Sequence, residues 1–386
     1  MNVKQRYLAT YHHRPTDRVP VALSYFHAGF VRKHFPPPAP DEDPIEAGIQ
    51  RQLRYGFDPH QYVRGTGRDW FLAQPDRSCE TPAYLDAAQD WQVTEEVSRR
   101  GEETIRTEYT IKTPGGALSC IRVQTPDDFG VFEAPFIKQE EDIDLLRHRP
   151  HPRYVINHER IRQDYATMGD RCWPKASVAG VWTVASFFRG PDTIMLDLYD
   201  RPEWVKRFLA LLADYQVELI QEIARAGVDV TIRLDNSFLG FGLSRRMFTE
   251  FIQLHDRRIV EAAHDAGLRV HVHICGKKNA FLEDLADMGI DALETLTPPS
   301  AAGDVDLADA KRRIGDRVCL MGGFLSYTLT MGTPEQVREE VKACLDKAVD
   351  GGGYILSPTG RIDPETPEEN LYAFTEAAKA YSGSGH

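Results

Sequence analysis

The sequence predicts an α/β fold, a (β/α)8 TIM barrel with an inserted antiparallel hairpin in its N-terminal half. Three observations predict it. From Lys175 onward, short runs rich in β-branched residues alternate with amphipathic helical segments. Six such alternations and one early strand imply a parallel sheet, because each crossover helix returns the chain to the same end of the sheet. The length of 386 residues exceeds a typical single domain but suits a barrel with insertions.

The elements follow in order. Residues 3 to 12 have the apolar spacing of a helix, and Arg18 to Tyr25 (RVPVALSY) reads as a buried strand. Residues 36 to 44 (PPPAPDEDP) hold five prolines, which remove donors and fix φ, so this stretch is a surface loop or a lid. Residues 103–135 alternate like strands around Pro114-Gly115-Gly116 and form the hairpin excursion. The later strand candidates are Ala176–Val181, Val228–Leu234, Leu268–Ile274, Ile290–Leu296, Val318–Met321 and Tyr354–Ser357.

The helices between them carry punctuation. One starts near Asp200, with Pro202 in its first turn and Glu203 three residues past the cap. It turns Val205, Phe208, Leu209, Leu212, Leu219 and Ile223 to the core and stops at Gly227. Another runs from Ser244 to Gly267. Thr333-Pro-Glu-Gln336 and Thr366-Pro-Glu-Glu369 both have capping-box spacing. Nothing marks a linker, so residues 1–381 read as one domain. Ser382 to His386 resembles a linker or tag remnant.

Composition narrows the function. The chain has 46 Lys+Arg against 58 Asp+Glu, a net charge of -12, which excludes a general nucleic-acid or anionic-membrane surface. No apolar run approaches the roughly 20 residues that span a bilayer. The opening MNVKQRYLATYHHRP lacks a secretory core, so a cytoplasmic location is expected. The six cysteines (79, 120, 172, 275, 319, 344) are too scattered for a disulfide scaffold. Cys319 and Cys344 fit apolar core positions. His255 and His264 lie in a long helix and read as surface residues.

In a barrel of this kind the chemistry sits at the C-terminal ends of the strands. The strongest signal there is His271-Val-His273-Ile-Cys275-Gly276. Alternate strand residues share a face, so His271, His273 and Cys275 project together. A thiolate beside imidazoles suits Zn²⁺, with an open position for substrate. The plain alternative is a satisfied core histidine and a buried free cysteine. Glu294 ends the next strand and can add an oxygen ligand, or cap a helix. Asp235 closes an apolar strand and can orient a ligand or act as a base, or cap the turn that follows. Arg361 can bind a carboxylate or phosphate, or be an exposed loop charge. Gly322-Gly323 permits close backbone approach.

These segments in this order resemble the uroporphyrinogen decarboxylase superfamily, a (β/α)8 barrel family of decarboxylases and zinc-dependent, corrinoid-linked methyltransferases. The resemblance runs from KQRYLATYHHRPTDRVPV through VAGVWTVASF and HICG to GIDALETL, GDRVCLMGGF and GGGYILSP with PETPEEN. It covers nearly the whole chain. Decarboxylases carry two arginines where this chain has Phe26 and Phe30, around Tyr25-Phe-His27-Ala-Gly-Phe30, and a tyrosine where it has Phe187. The methyltransferase branch is matched by His273 and Cys275, but Gly360 stands where that branch places a third ligand.

The resemblance therefore implies a methyltransferase with Zn²⁺ held by His273 and Cys275; with Gly360 in place of a ligand, Glu294, His271 or a substrate atom would complete the set, and Asp235 and His271 are the catalytic candidates by their strand-end positions. Phe26, His27, Phe30, Phe187 and Arg361 would line the substrate or cofactor mouth, with Trp182 and Phe188. A corrinoid or tetrahydrofolate would carry the methyl group, a corrinoid protein would be a partner, and a homodimer is the family's usual state. The aromatic mouth suits a methoxylated ring. The competing readings are a decarboxylase acting on uroporphyrinogen or a smaller acid, and a non-catalytic barrel that binds a tetrapyrrole or a corrinoid protein.

Overall fold

The computed structural model describes residues 1–37, 39, 41–67, 72–75, 82–100, 104–125 and 130–381. Cys79, Pro38, Pro40 and the tail 382–386 lie outside the described residues. Eleven strands are present among them: β1 (His60–Tyr62), β2 (Gln92–Arg100), β3 (Thr104–Thr113), β4 (Gly116–Gln124), β5 (Val131–Ala134), β6 (Trp173–Ala179), β7 (Thr231–Asp235), β8 (Arg269–His273), β9 (Ala292–Glu294), β10 (Cys319–Phe324) and β11 (Tyr354–Pro358). Seven of them form one parallel sheet in the order β1-β6-β7-β8-β9-β10-β11, and β2 to β5 form a separate antiparallel sheet in chain order.

The six strands expected in the C-terminal half are all there, with shifted ends. Three N-terminal features correct the sequence reading. The hairpin is a four-stranded sheet that starts at Gln92. The run QVTEEVSRR is polar on both faces, which hid its strand character. β1 had no sequence signal, since three residues are too short for a period. Arg18 to Tyr25 is not a regular strand. Its middle is extended, with Ala22 N donating to Leu356 O (2.9 Å) and Leu356 N to Pro20 O (3.0 Å). On the other side Asp58 N donates to Val21 O (2.7 Å). This segment thus lies between β11 and the residues leading into β1, while Pro20 has no N–H to extend the ladder.

The parallel sheet has two differently filled faces. Ala176, Val178, Ile232, Leu234, Val270, Val272, Leu293 and Leu320 belong to the large core packed against the helices. The opposite face carries a smaller apolar cluster, with Trp173, Ala292, Cys319, Met321 and Ile355 covered by Tyr7 and Tyr11 of helix Val3–Tyr11. Tyr7 stacks on Trp173 with centroids 5.4 Å apart, and Tyr11 lies 5.3 Å from the same ring. That helix closes the N-terminal end of this inner face. Farther along the strands the same face becomes polar.

Helix Pro202–Ala224 buries all six residues expected of it. Its cap is Arg201, without a side-chain bond, because Asp200 ends the preceding helix Pro191–Asp200. The Thr333–Gln336 capping box is made. The second expected box is not: Thr366 pairs with Thr330 (3.0 Å), and the helix begins later, as Glu368–Ala380. The expected Ser244 to Gly267 helix is split by a π-turn, Phe248–Ile252, before Gln253–Asp265. The extra residue shifts the helical phase, and His255, expected at the surface, is buried beside Asp256. His264 is exposed at the far end as expected. Cys319 and Cys344 are buried. Among the described residues, no helix is long and apolar enough to cross a membrane.

Candidate functional site

The register of the parallel sheet aligns Asp235, His273 and Glu294 side by side across β7, β8 and β9. One layer below, Arg233 pairs with His271. Lys175 of β6 lies a layer lower still, opposite Thr231. Side chains two residues apart share a face, so five ionisable groups of three neighbouring strands converge with Lys175 on one polar centre.

Glu294 is the hub. Its Oε1 accepts from Arg233 Nε (2.8 Å) and lies 2.6 Å from His273 Nδ1. Its Oε2 is 3.1 Å from His271 Nε2 and 3.8 Å from Lys175 Nζ. The His271 approach is close but poorly directed, and both Nε2 and Lys175 Nζ lack a well-aligned hydrogen bond. Burial works against the Glu294 charge, but the cations beside it, Arg233 first, outweigh it and hold its pKa well below the usual carboxylate range. A buried carboxylate is tolerable only with such partners.

The two histidines differ. His271 is fully buried, and burial with Lys175 pushes its pKa down to about 4, so it is neutral. Tyr11 OH is 2.7 Å from its Nδ1. Burial and Arg233 also oppose charge on His273, but Cys275 and Glu294 prevail and its pKa is raised. His273 Nε2 faces Cys275 Sγ at 3.2 Å. Burial alone would raise the Cys275 thiol; the His273 contact and charge reverse that, and its pKa is lowered.

Loops hold the pair in place. Gly240 bridges to Gly276, and Lys277 N donates to Gly240 O (3.1 Å). Gly240 lies so close to the Cys275 carbonyl that a Cβ there would sit 1.9 Å from it. Lys278 Nζ donates to Gly276 O (3.2 Å) and Thr295 O (2.5 Å), tying the end of β8 to that of β9. Asp235 accepts from Arg233 Nη1 (2.5 Å), Ser237 Oγ (2.5 Å) and Ser237 N (3.0 Å). Asn236, the next residue, donates to the buried Asp256 (2.7 Å), which also accepts from Val181 N (3.2 Å).

The centre opens to solvent. Ser177, on the inner face of β6, and Tyr62 of β1 are exposed, and Asp235 and Cys275 are half-buried. The site is therefore not sealed in apolar packing.

The other expected residues fall elsewhere. Phe26 and His27 lie beside Arg361, because His27 N donates to Ile362 O (3.0 Å) and Ile362 N to Tyr25 O (2.9 Å). His27 Nδ1 caps helix Ala28–His34 by accepting from Gly29 N (3.0 Å). Arg361 is half-buried and forms no ion pair among the described residues. Phe187 makes edge contacts with Phe238 (5.0 Å) and Phe132 (5.3 Å). Three aromatics expected at the mouth are core instead: Phe30, Trp182 and Phe188 are fully buried. Phe30 stacks on Phe26 (5.3 Å) and His34 (4.4 Å). Helical phase turns them inward, since they lie on helices that follow the strand ends.

Sequence reasoning missed Arg233, Lys175, Tyr11 and Ser237. Arg233 and Lys175 did leave a signal, as lone cations inside otherwise buried strands. Tyr11 left none, because its partner is 260 positions away.

A sequence profile of the family described as uroporphyrinogen decarboxylase (URO-D) matches residues 94–381. The chain belongs to the uroporphyrinogen decarboxylase family. Among relatives of this family, the chain is similar to a methylcobamide:CoM methyltransferase (MtaA) of Methanosarcina barkeri, 27% identical over 292 residues, 73% of this chain and 80% of that protein. It is also similar to a uroporphyrinogen decarboxylase of Serratia proteamaculans, 31% identical over 214 residues, 53% of this chain and 58% of that one. A solved methyltransferase from Methanosarcina mazei shares the fold, with a TM-score of 0.65, 21% identity and 98% of both chains covered. Both kinds of relative within the family are enzymes.

Proposed function

We propose that this chain is a methyltransferase of the uroporphyrinogen decarboxylase family. It would move a methyl group between a small compound or a thiol and a corrinoid or tetrahydrofolate carrier. The observation that carries the reading is the Cys275–His273–Glu294 series, in which sulfur, imidazole and carboxylate are joined by contacts of 3.2 and 2.6 Å. The methyltransferase relative supports it over 80% of that protein's length. Pro20 to Ala22, bonded on both sides, supports a closed barrel with this segment in the eighth position.

The residues fit a zinc ion at two points. His273 Nε2 and Cys275 Sγ would hold it, an imidazole and a soft sulfur turned toward each other. Among the described residues, no group of three or more His, Cys, Asp or Glu is arranged to hold a metal ion. Glu294 was expected as a third ligand, but its oxygens are taken by Arg233 and the histidines, so we assign it as the carboxylate that orients His273. Bound zinc would supply Lewis acidity that keeps a substrate thiol ionised near neutral pH.

The chain's own groups do the rest. Glu294 holds the His273 proton at Nδ1 and leaves Nε2 free to face sulfur. Asp235 is held as an anion below the ordinary carboxylate range, for although burial opposes this, Arg233 outweighs it. It is thus a weak base, and its role is to fix Ser237 and Arg233 at the rim. His271 touches Glu294 rather than the open side, and it supports the hub. Phe187 with Phe238, and Phe26 beside Arg361, offer aromatic edges and one cation, which suits an aromatic acid bearing a methoxy group.

The test is methyl transfer from methylcobalamin or methoxybenzoates, with a loaded corrinoid protein, to a thiol or tetrahydrofolate. Zinc analysis of wild type beside His273→Ala and Cys275→Ala accompanies it. Transfer, with zinc lost in both variants, is expected. No transfer from any donor overturns the reading, and coproporphyrinogen formation would establish a decarboxylase in its place.

A further inference from the structure

Four close contacts run in series along the inner face of the sheet, from the N-terminal helix to the open sulfur. Tyr11 OH meets His271 Nδ1 at 2.7 Å, and His271 Nε2 meets Glu294 Oε2 at 3.1 Å. Glu294 Oε1 meets His273 Nδ1 at 2.6 Å, and His273 Nε2 meets Cys275 Sγ at 3.2 Å. Nothing in the proposed function uses Tyr11, which lies at the opposite end of the strands from the mouth.

One proton placement suits these contacts best. A neutral imidazole has one N–H donor and one acceptor nitrogen. His271 Nε2 lies 3.1 Å from the Glu294 carboxylate, and although the contact is poorly directed the hydrogen belongs there, since a bare lone pair against that charge would be repulsive. His271 Nδ1 is then the acceptor, and the Tyr11 hydroxyl is its donor. The opposite tautomer would lose the favourable contact at Nε2 and put two donors against each other only if Tyr11 also kept its hydrogen turned inward.

We propose that Tyr11 is a positioning residue: by donating to His271 Nδ1 it fixes His271 as the Nε2–H tautomer, which steadies the Glu294 carboxylate that in turn aims His273 Nε2 at Cys275. The inference rests on the proposed role of His273 and Cys275 for its effect on turnover, but not for its effect on His271.

Geometry supports a role beyond packing. The Tyr11 ring is already held by Trp173, and its ring lies edge-on to His271 with centroids 6.1 Å apart. Tyr11→Phe therefore keeps the packing and removes only the hydroxyl. Lys175 Nζ stands farther off, 3.8 Å from the same Oε2, so His271 Nε2 at 3.1 Å is the nearer group to that oxygen.

The experiment uses the full chain with ¹⁵N-labelled histidine, assigned with His271→Gln. In wild type the His271 nitrogens must report the Nε2–H tautomer; an Nδ1–H tautomer overturns the proposal without any variant. In Tyr11→Phe we expect a mixture of tautomers at His271, and a fall of about tenfold in kcat for methyl transfer with KM unchanged. His271 signals identical to wild type in Tyr11→Phe would also overturn it. If no methyl transfer occurs in wild type, the tautomer measurement still decides the positioning role, so the two readings fail separately.

Discussion

Glu294 Oε1 lies 2.6 Å from His273 Nδ1, while the other His273 nitrogen faces the Cys275 sulfur. One carboxylate thus meets one nitrogen of the imidazole and leaves the other facing the sulfur.

Replacing Glu294 by Gln keeps an acceptor oxygen but removes the charge that Arg233 and Lys175 share. Breaking a buried pair on one side costs about 3–5 kcal/mol, and losing an orienting carboxylate lowers activity about 10–100-fold. Urea denaturation and methyl-transfer kinetics of Glu294→Gln should show both effects. A variant as stable and as active as wild type would remove Glu294 from its central role.

Cys275 should be the most reactive of the five described cysteines. Its thiol is shifted down chiefly by His273, whereas burial shifts the Cys344 thiol up to about 12 and raises those of Cys120, Cys172 and Cys319 as well. Iodoacetamide at pH 7, followed by peptide mass mapping, should label Cys275 before those four. His273→Ala should slow that labelling by roughly tenfold, since the thiolate is the nucleophile.

Asp256 gives a pH dependence with a definite sign. Burial raises its pKa from 3.8 to about 6 in the folded chain. Between these values the folded state keeps a proton that the unfolded state has lost, so stability falls as pH rises through this window and levels off above it. The effect is on the order of 3 kcal/mol. Asp256→Asn should abolish the slope. It should also fold well, because a flip of the Asn236 amide would turn its unpartnered buried Oδ1 toward the new NH₂. Denaturation midpoints at pH 4.5 and pH 7 measure both claims; a slope retained in the variant assigns it to another group.

Gly180 is required for space, not for backbone freedom, since its φ is -69°. A Cβ there would fall 1.9 Å from Asn236 Oδ1. Gly180→Ala should cost about 1–3 kcal/mol through overpacking and weaken activity by displacing the residue next to Asp235. Adding Asn236→Ala should recover part of the lost stability in a double-mutant cycle. Strictly additive losses would show that the two sites do not meet.

Much of this molecule was legible in its amino-acid order. The six later strands and the buried face of Pro202–Ala224 follow from periods of two and 3.6, which are local properties of the chain. The joint direction of His271 and His273 follows in the same way, while the family shows in the order of segments such as HICG and GIDALETL. What the order could not disclose is which distant groups meet. Phe30, Trp182 and Phe188 are apolar in any sequence reading; only helix phase against the sheet makes them core rather than mouth. Glu294 is an oxygen donor in any reading; only the register of β7, β8 and β9 gives it Arg233 and two imidazoles as partners. Tyr11 meets His271 because the first helix caps the inner face of a sheet built mostly from the last half of the chain. Periodicity is set by neighbours along the backbone, whereas partners of a buried charge are set by the register of the whole sheet.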